Sequence, residues 1–159
     1  MAHHRRAGSA ATVDPVTADA APCIFCAIVT GDAPSTQVYE DDDILAFLDI
    51  RPITRGHTLV IPKRHASRLA DLDPDLGASM FRVGHRLVAA VRSGLSADGA
   101  NVLINDGKPA FQTVDHTHLH VVPRQRKDVL RFAAGLVLRR NDDPDGAAAA
   151  IRSALTEAK

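Results

Sequence analysis

Hydrophobic positions along the chain change period several times, and each change marks an element. Leu76, Met80, Val83, Leu87, Val91 and Leu95 recur every three or four positions, as on one face of a long helix. Asp73-Pro74 ahead of them supplies a capping carboxylate and a first-turn proline, and Gly94 or Gly99 marks the exit. Before this helix the runs are short and β-rich. Val38 to Glu40 and Ile44 to Leu48 flank the acidic turn Asp41-Asp42-Asp43, and His57 to Ile61 stops at Pro62. After it, Val102-Leu103-Ile104 predicts a strand, Asp106-Gly107 a turn, and Thr117 to Val122 a strand ended by Pro123. Cys23 to Val29 reads as a short helix or turn closed by Gly31, and Asp143-Pro144 opens an Ala-rich helix through Ile151 and Leu155. No internal repeat interrupts this order. Strands paired by short turns, with one long helix inserted and a C-terminal helix, predict an α+β domain around an antiparallel sheet.

Composition narrows the class. Of 159 residues, 45% are hydrophobic and 24% charged, enough apolar side chains for a real core and too many for a disordered chain. Nineteen basic residues balance nineteen acidic ones, which argues against a general nucleic-acid binder but leaves room for one small anionic ligand. The longest apolar runs, such as Leu87 to Val91, fall far short of the roughly 20 residues a membrane span requires. The segment 1–21 has no periodicity and reads as a disordered tail. It starts with His3-His4-Arg5-Arg6, but Asp14, Pro15 and Asp19 break any export core, so a cytoplasmic protein is expected. Cys23 and Cys26 sit too close to staple a fold and suit a reducing compartment; by itself the Cys-x-x-Cys spacing is open between zinc, redox and accident. No Gly-x-x-x-x-Gly-Lys loop exists, which excludes a P-loop mechanism. Arg124, Arg126, Lys127 and Arg131 read as a solvated basic face that could also attract phosphate.

Eight histidines in such a chain are many. His85 falls on the long helix, where a structural role is expected. His116, His118 and His120 alternate along the last predicted strand, so their imidazoles share one face while Thr117, Leu119 and Val121 pack on the other. Such a row suits either of two chemistries. It could hold a metal ion. Alternatively, a neutral imidazole could attack phosphorus and leave again once its adduct is made.

The stretch from Asn105-Asp106-Gly107 through Gln112-Thr113-Val114-Asp115-His116-Thr117-His118-Leu119-His120 to Pro123-Arg124 resembles the signature of the histidine triad (HIT) family. Three earlier blocks do as well: Cys23 to Ile28, Ala46 to Ile50, and Gly56 to His65. The likeness covers residues 22–126, a HIT domain with the HIT-like fold. Residues 127–159 are left as a C-terminal extension, with a helix, in the same globular unit.

The resemblance implies a nucleotide hydrolase or transferase acting at an α-phosphate through a covalent nucleotidyl-histidine. His118 would be the nucleophile, His120 the phosphate contact, His57 the supporting histidine of a neighbouring strand, and Gln112 the residue by the bridging atom. Thr113 would lie near the leaving group, Asn105 along the phosphate side, and Asp49 against the ribose hydroxyls. Phe25, Ile28, Phe47 and Ile50 would frame the base, with adenosine expected. For His57 a strand-capping role stays open, as do a solvated carboxylate for Asp49 and core packing for the apolar residues. Bacterial relatives in this family imply a structural zinc on Cys23, Cys26, His65 and His116, and no organic cofactor. Family habit also implies a homodimer, with neither nucleic acid nor membrane as partner. Two departures stand out: Phe111 replaces a family glycine before Gln112, and Thr117 replaces an apolar residue. Gln112-Thr113-Val114 resembles the dinucleoside-polyphosphate-cleaving branch, whereas the short length and Cys pair resemble the bacterial phosphoramidase-like branch. A regulatory nucleotide-binding module and a zinc-dependent hydrolase are the alternatives.

Overall fold

The computed structural model describes residues 22–139 and 143–157. The tail 1–21, with His3 and His4, lies outside the described residues. Helix α1 (Ile24–Thr30) ends at Gly31, whose φ of 83° is the left-handed cap that glycine adopts without strain. Strands β1 (Gln37–Glu40) and β2 (Ile44–Leu48) form a hairpin. Asp41 closes it by accepting the Asp43 and Ile44 N–H groups at 2.9 and 2.7 Å, the usual Asx device. Strand β3 (Thr58–Pro62), helix α2 (Pro74–Gly94), strands β4 (Gly99–Ile104) and β5 (Leu119–Arg124), and helices α3 (Val129–Leu138) and α4 (Pro144–Glu157) follow. The sheet is antiparallel throughout, in the order β1-β2-β3-β5-β4.

Both faces of β2 and β3 are covered, which is why these strands read as unbroken apolar runs. On one face Ile44, Ala46, Val60, Leu119 and Val121 pack against Met80, Leu87 and Val91 of α2 and Ile151 of α4. On the other a smaller cluster joins Leu45, Phe47, Leu59 and Ile61 to Phe25 and Ile28 of α1. Asp73 caps α2 as its position predicts, accepting the Asp75 N–H at 2.8 Å. His85 sits on the solvent side of this helix rather than in the core.

Four boundaries depart from the sequence pattern. Strand β5 begins at Leu119 and continues through Pro123, so His116 and His118 precede the ladder instead of lying within it. Pro123 is tolerated because N–H and C=O of one antiparallel residue point the same way. Its carbonyl accepts from Thr54 Oγ1 at 2.8 Å, beyond the last β3 pair, so no ladder donor is missing. Pro62 is likewise the last residue of β3, with its carbonyl turned to His116. Strand β4 starts at Gly99, three residues earlier than its apolar core predicts. Neither Gly94 nor Gly99 caps α2; Leu95 does, and Gly94 is needed for packing, since a Cβ there would stand 2.6 Å from the Ala150 carbonyl oxygen of α4. Helix α3 has no predicted counterpart. Its ten residues carry one charged side chain, Arg131, and none is fully buried; so short an apolar run does not distinguish a helix from a strand by pattern alone. Two of the four residues of the basic cluster are paired: Arg124 grips Asp128 and stacks on Phe132, and Arg126 meets Asp98.

Candidate active site

Register places Phe47, Leu59, His120 and Leu103 side by side across β2, β3, β5 and β4, on the face that α1 covers. His118 stands just before this row, its ring centroid 4.8 Å from that of His120. Phe25 of α1 lies at 5.3 Å from His118 and 5.8 Å from His116, in each case nearly perpendicular. The imidazoles therefore keep one face, although only His120 is in the ladder. All four neighbouring histidines are depressed below the ordinary value of 6.5, chiefly by burial, His116 to about 4 and His120 to about 3. At neutral pH they are uncharged, and each must place a single proton.

Fixed backbone groups make that choice. His118 Nδ1 lies 2.7 Å from the His116 carbonyl oxygen, which can only accept, so Nδ1 carries the proton and Nε2 keeps a free lone pair. His57 Nδ1 receives the Ile53 N–H at 3.2 Å, so its proton sits on Nε2 and is donated to His120 Nδ1 at 3.0 Å. His120 must then be protonated at Nε2, a buried atom with no partner among the described residues. A backbone amide, a relay histidine and a buried, unpartnered donor thus form one directed chain. Asp49 Oδ2 lies 3.4 Å from His57 Nδ1, too long for a good hydrogen bond, while Oδ1 accepts the Arg51 N–H at 2.8 Å.

The other predicted residues divide. Phe25 and Ile28 of α1 and Phe47 of β2 are buried in one cluster, in which Phe25 packs edge-on against both Phe47 and His118. Ile50 is 77% exposed and packs in neither core. Asn105 follows β4 directly and is half-buried, and Thr113 is exposed. Gln112 is buried with its amide fully used: Oε1 accepts from Arg68 and Gly107 N–H at 2.7 Å each, and Nε2 donates to the Ser67 and Val114 carbonyls at 2.8 and 3.0 Å. It ties its own loop to the 67–68 segment and presents no open donor. Phe111 before it has φ of 67° and is 83% exposed. Arg68, Ser67 and the Ile53 N–H escape a reading of the sequence, because two of these three contributions come from the main chain and carry no side-chain signal.

Cys23, Cys26, His65 and His116 form a second cluster whose ligand atoms all lie within 4.8 Å of one another. Cys23 Sγ is 3.5 Å from His116 Nδ1, and Cys26 Sγ is 3.3 Å from His65 Nδ1 and 3.7 Å from His116 Nδ1. A tetrahedral ion with standard zinc–sulfur and zinc–nitrogen bonds requires such edges of roughly 3.6 Å. Each histidine is also oriented from behind, His116 Nε2 donating to the Pro62 carbonyl at 2.9 Å and His65 Nε2 lying 3.2 Å from Ser67 Oγ. Burial, with Cys23 alongside, pushes the Cys26 thiol up to about 11, a cost that a bound cation would remove. The donor set fits a closed zinc site.

The HIT domain model matches residues 30–127. An uncharacterised HIT-like protein of Mycobacterium tuberculosis is 49% identical over 136 residues, covering 86% of this chain and 94% of that one. A Schizosaccharomyces pombe protein named adenosine 5'-monophosphoramidase is 42% identical over 106 residues, 67% of this chain and 77% of its own. Among solved structures, a zinc-bound histidine triad protein from Mycobacterium smegmatis superposes with a TM-score of 0.78 at 53% identity, covering 86% of this chain and 94% of that one. With the match spanning the whole sheet and the histidines of both clusters, the chain belongs to the histidine triad family.

Proposed function

We propose that the protein is a nucleotidyl hydrolase, cleaving a nucleoside phosphoramidate or dinucleoside polyphosphate at its α-phosphate through a covalent intermediate on His118. The observation that carries this reading is the locked tautomer of His118: Nδ1–H is held by the His116 carbonyl, so the Nε2 lone pair is free for attack. Nε2 forms a bond to phosphorus while the bond from phosphorus to the leaving nitrogen or oxygen breaks, and the leaving group takes the bonding pair and a proton from solvent. Water then attacks the same phosphorus and gives up a proton to solvent as the bond from phosphorus to Nε2 breaks, and the bonding pair returns to Nε2 to restore the neutral imidazole. His120 Nε2–H is the donor available to a non-bridging phosphate oxygen as charge develops there.

Asp49 has the acceptor chemistry for a ribose diol, and Phe25, Ile28 and Phe47 offer an apolar wall for an adenine. Cys23, Cys26, His65 and His116 would hold a structural zinc, which would supply rigidity where the catalytic segment begins. A homodimer is supported by the edge strand β4, which leaves Val102 and Leu103 exposed, and by the uncovered apolar side of α3. The saturated amide of Gln112 favours a second reading, a nucleotide-binding module with little turnover.

An AMP phosphoramidate and a diadenosine polyphosphate offered to wild type and His118→Ala, with and without a chelator, separate the readings. Loss of turnover in the variant with chelator-resistant wild-type activity is expected, together with an adenylylated His118 detectable by mass spectrometry. Equal turnover in both proteins would sink the covalent mechanism. No turnover in the wild type would favour the binding module.

A further inference from the structure

Helix α3 lies beyond the residues that match the HIT domain, yet it touches the segment that sets the histidine tautomers. Ile53 is the shared residue. Its N–H donates to His57 Nδ1 at 3.2 Å, and its carbonyl faces Gly135 in the middle of α3. A Cβ at 135 would overlap that carbonyl oxygen and stand 2.9 Å from the carbonyl carbon. Glycine is a poor residue for a helix interior, so its presence needs a reason, and this close backbone approach supplies one. Four residues on, Arg139 ends the helix in a left-handed conformation, φ 45°, and Nη1 donates to the Arg51 carbonyl at 3.3 Å. A cavity of about 410 Å³ between α3 and the body is lined by Ile53, Thr54, Leu95, Pro123, Gly135 and Leu138, and nearer the helix start Phe132 stacks on Arg124. Gly135 and Arg139 are therefore close points of attachment at its C-terminal half. The Arg139 charge is also felt at His57 and His120, in both cases disfavouring their protonation.

We propose that α3 is a positioning element for the histidine relay: Gly135 and Arg139 clamp the 51–55 segment so that the Ile53 N–H stays on His57 Nδ1. Held there, that amide leaves His57 one tautomer, which leaves His120 one tautomer, with its Nε2–H directed to substrate. Gly135 and Arg139 touch no reacting atom; they act through Ile53 and Arg51. This rests on the hydrolase reading for its kinetic consequence but not for its structural one.

The test uses the full chain labelled with ¹⁵N-histidine, as wild type, Gly135→Ala, Arg139→Gln and the surface control Val137→Ser, whose side chain is 79% exposed. Imidazole ¹⁵N shifts report which ring nitrogen of His57 and His120 carries the proton. Wild type and Val137→Ser are expected to show both as Nε2–H tautomers. Gly135→Ala should show mixed tautomers at both and about a tenfold fall in kcat on the AMP phosphoramidate with KM little changed, as misplacement of a catalytic group predicts. Arg139→Gln inserts no atom and should move both readouts the same way, by about threefold in kcat. It serves as the deciding variant if circular dichroism shows that Gly135→Ala does not fold. A folded Gly135→Ala or Arg139→Gln that keeps wild-type tautomers overturns the proposal. A wild type with no turnover but with tautomers that Gly135→Ala disturbs would retain the clamp and remove the hydrolase reading.

Discussion

A buried imidazole that must carry its proton on one chosen nitrogen needs a partner that cannot be reversed, and here the main chain provides it twice. The His116 carbonyl fixes His118, and the Ile53 amide fixes His57 and, through it, His120. Removing the relay with His57→Ala should leave His120 free to take either tautomer and lower kcat about 100-fold, in the range typical of a positioned proton donor, which steady-state kinetics will measure. The same burial has a pH signature. His116 and His120 are held near 4 and 3, and His57 well below its ordinary 6.5, so the unfolded chain binds more protons than the folded one beneath that value. Stability is accordingly full above about pH 6.5 and falls as pH drops toward 4, by about 1.4 kcal/mol per unit for each such histidine. Urea midpoints measured from pH 8 to 4.5 should be flat at first and then decline.

Elements differ in how they are held. Helix α2 starts on a side-chain cap and ends on a packing constraint. Asp73→Ala removes acceptors for the Asp75 and Leu76 N–H groups and should cost about 1 kcal/mol. Ile151 on α4 is fully buried against α2 and the sheet, and Ile151→Ala should cost about 2–5 kcal/mol, the larger effect by far. Denaturant unfolding of both variants checks the ranking. Helix α3 is the opposite case. Leu130 and Val137 are 85% and 79% exposed, and the helix is tied down through Phe132 on Arg124, Gly135 on Ile53 and Arg139 on Arg51. An apolar helix with so little of its surface covered is a natural contact for a second copy of the chain.

At the scale of the whole molecule, the two histidine clusters meet at His116, whose ring completes the Cys₂His₂ set while its carbonyl holds His118. Zinc added to metal-free protein should raise the melting temperature, and Cys26→Ser should abolish that response, as read by calorimetry. Light scattering should give a dimer mass for the wild type and a lower mass for Leu103→Arg, which puts charge on the exposed edge strand. Much of this molecule could be read without a structure. The three- and four-residue recurrence from Leu76 to Leu95 predicts α2, the β-rich runs predict each strand to within a few residues, and the alternation at His116, His118 and His120 places the imidazoles on one face. These features are local, set by side-chain period and turn chemistry over a few residues, so neighbours in sequence suffice to define them. What the tertiary structure alone decided is different in kind. It spent the Gln112 amide tying its loop to Ser67 and Arg68, left Ile50 in solvent, assigned each imidazole its proton, and set α3 against Ile53 through Gly135. Those outcomes depend on backbone carbonyls and amides brought together from distant segments. Every residue except proline carries the same pair of backbone groups, so only the fold determines which of them meet.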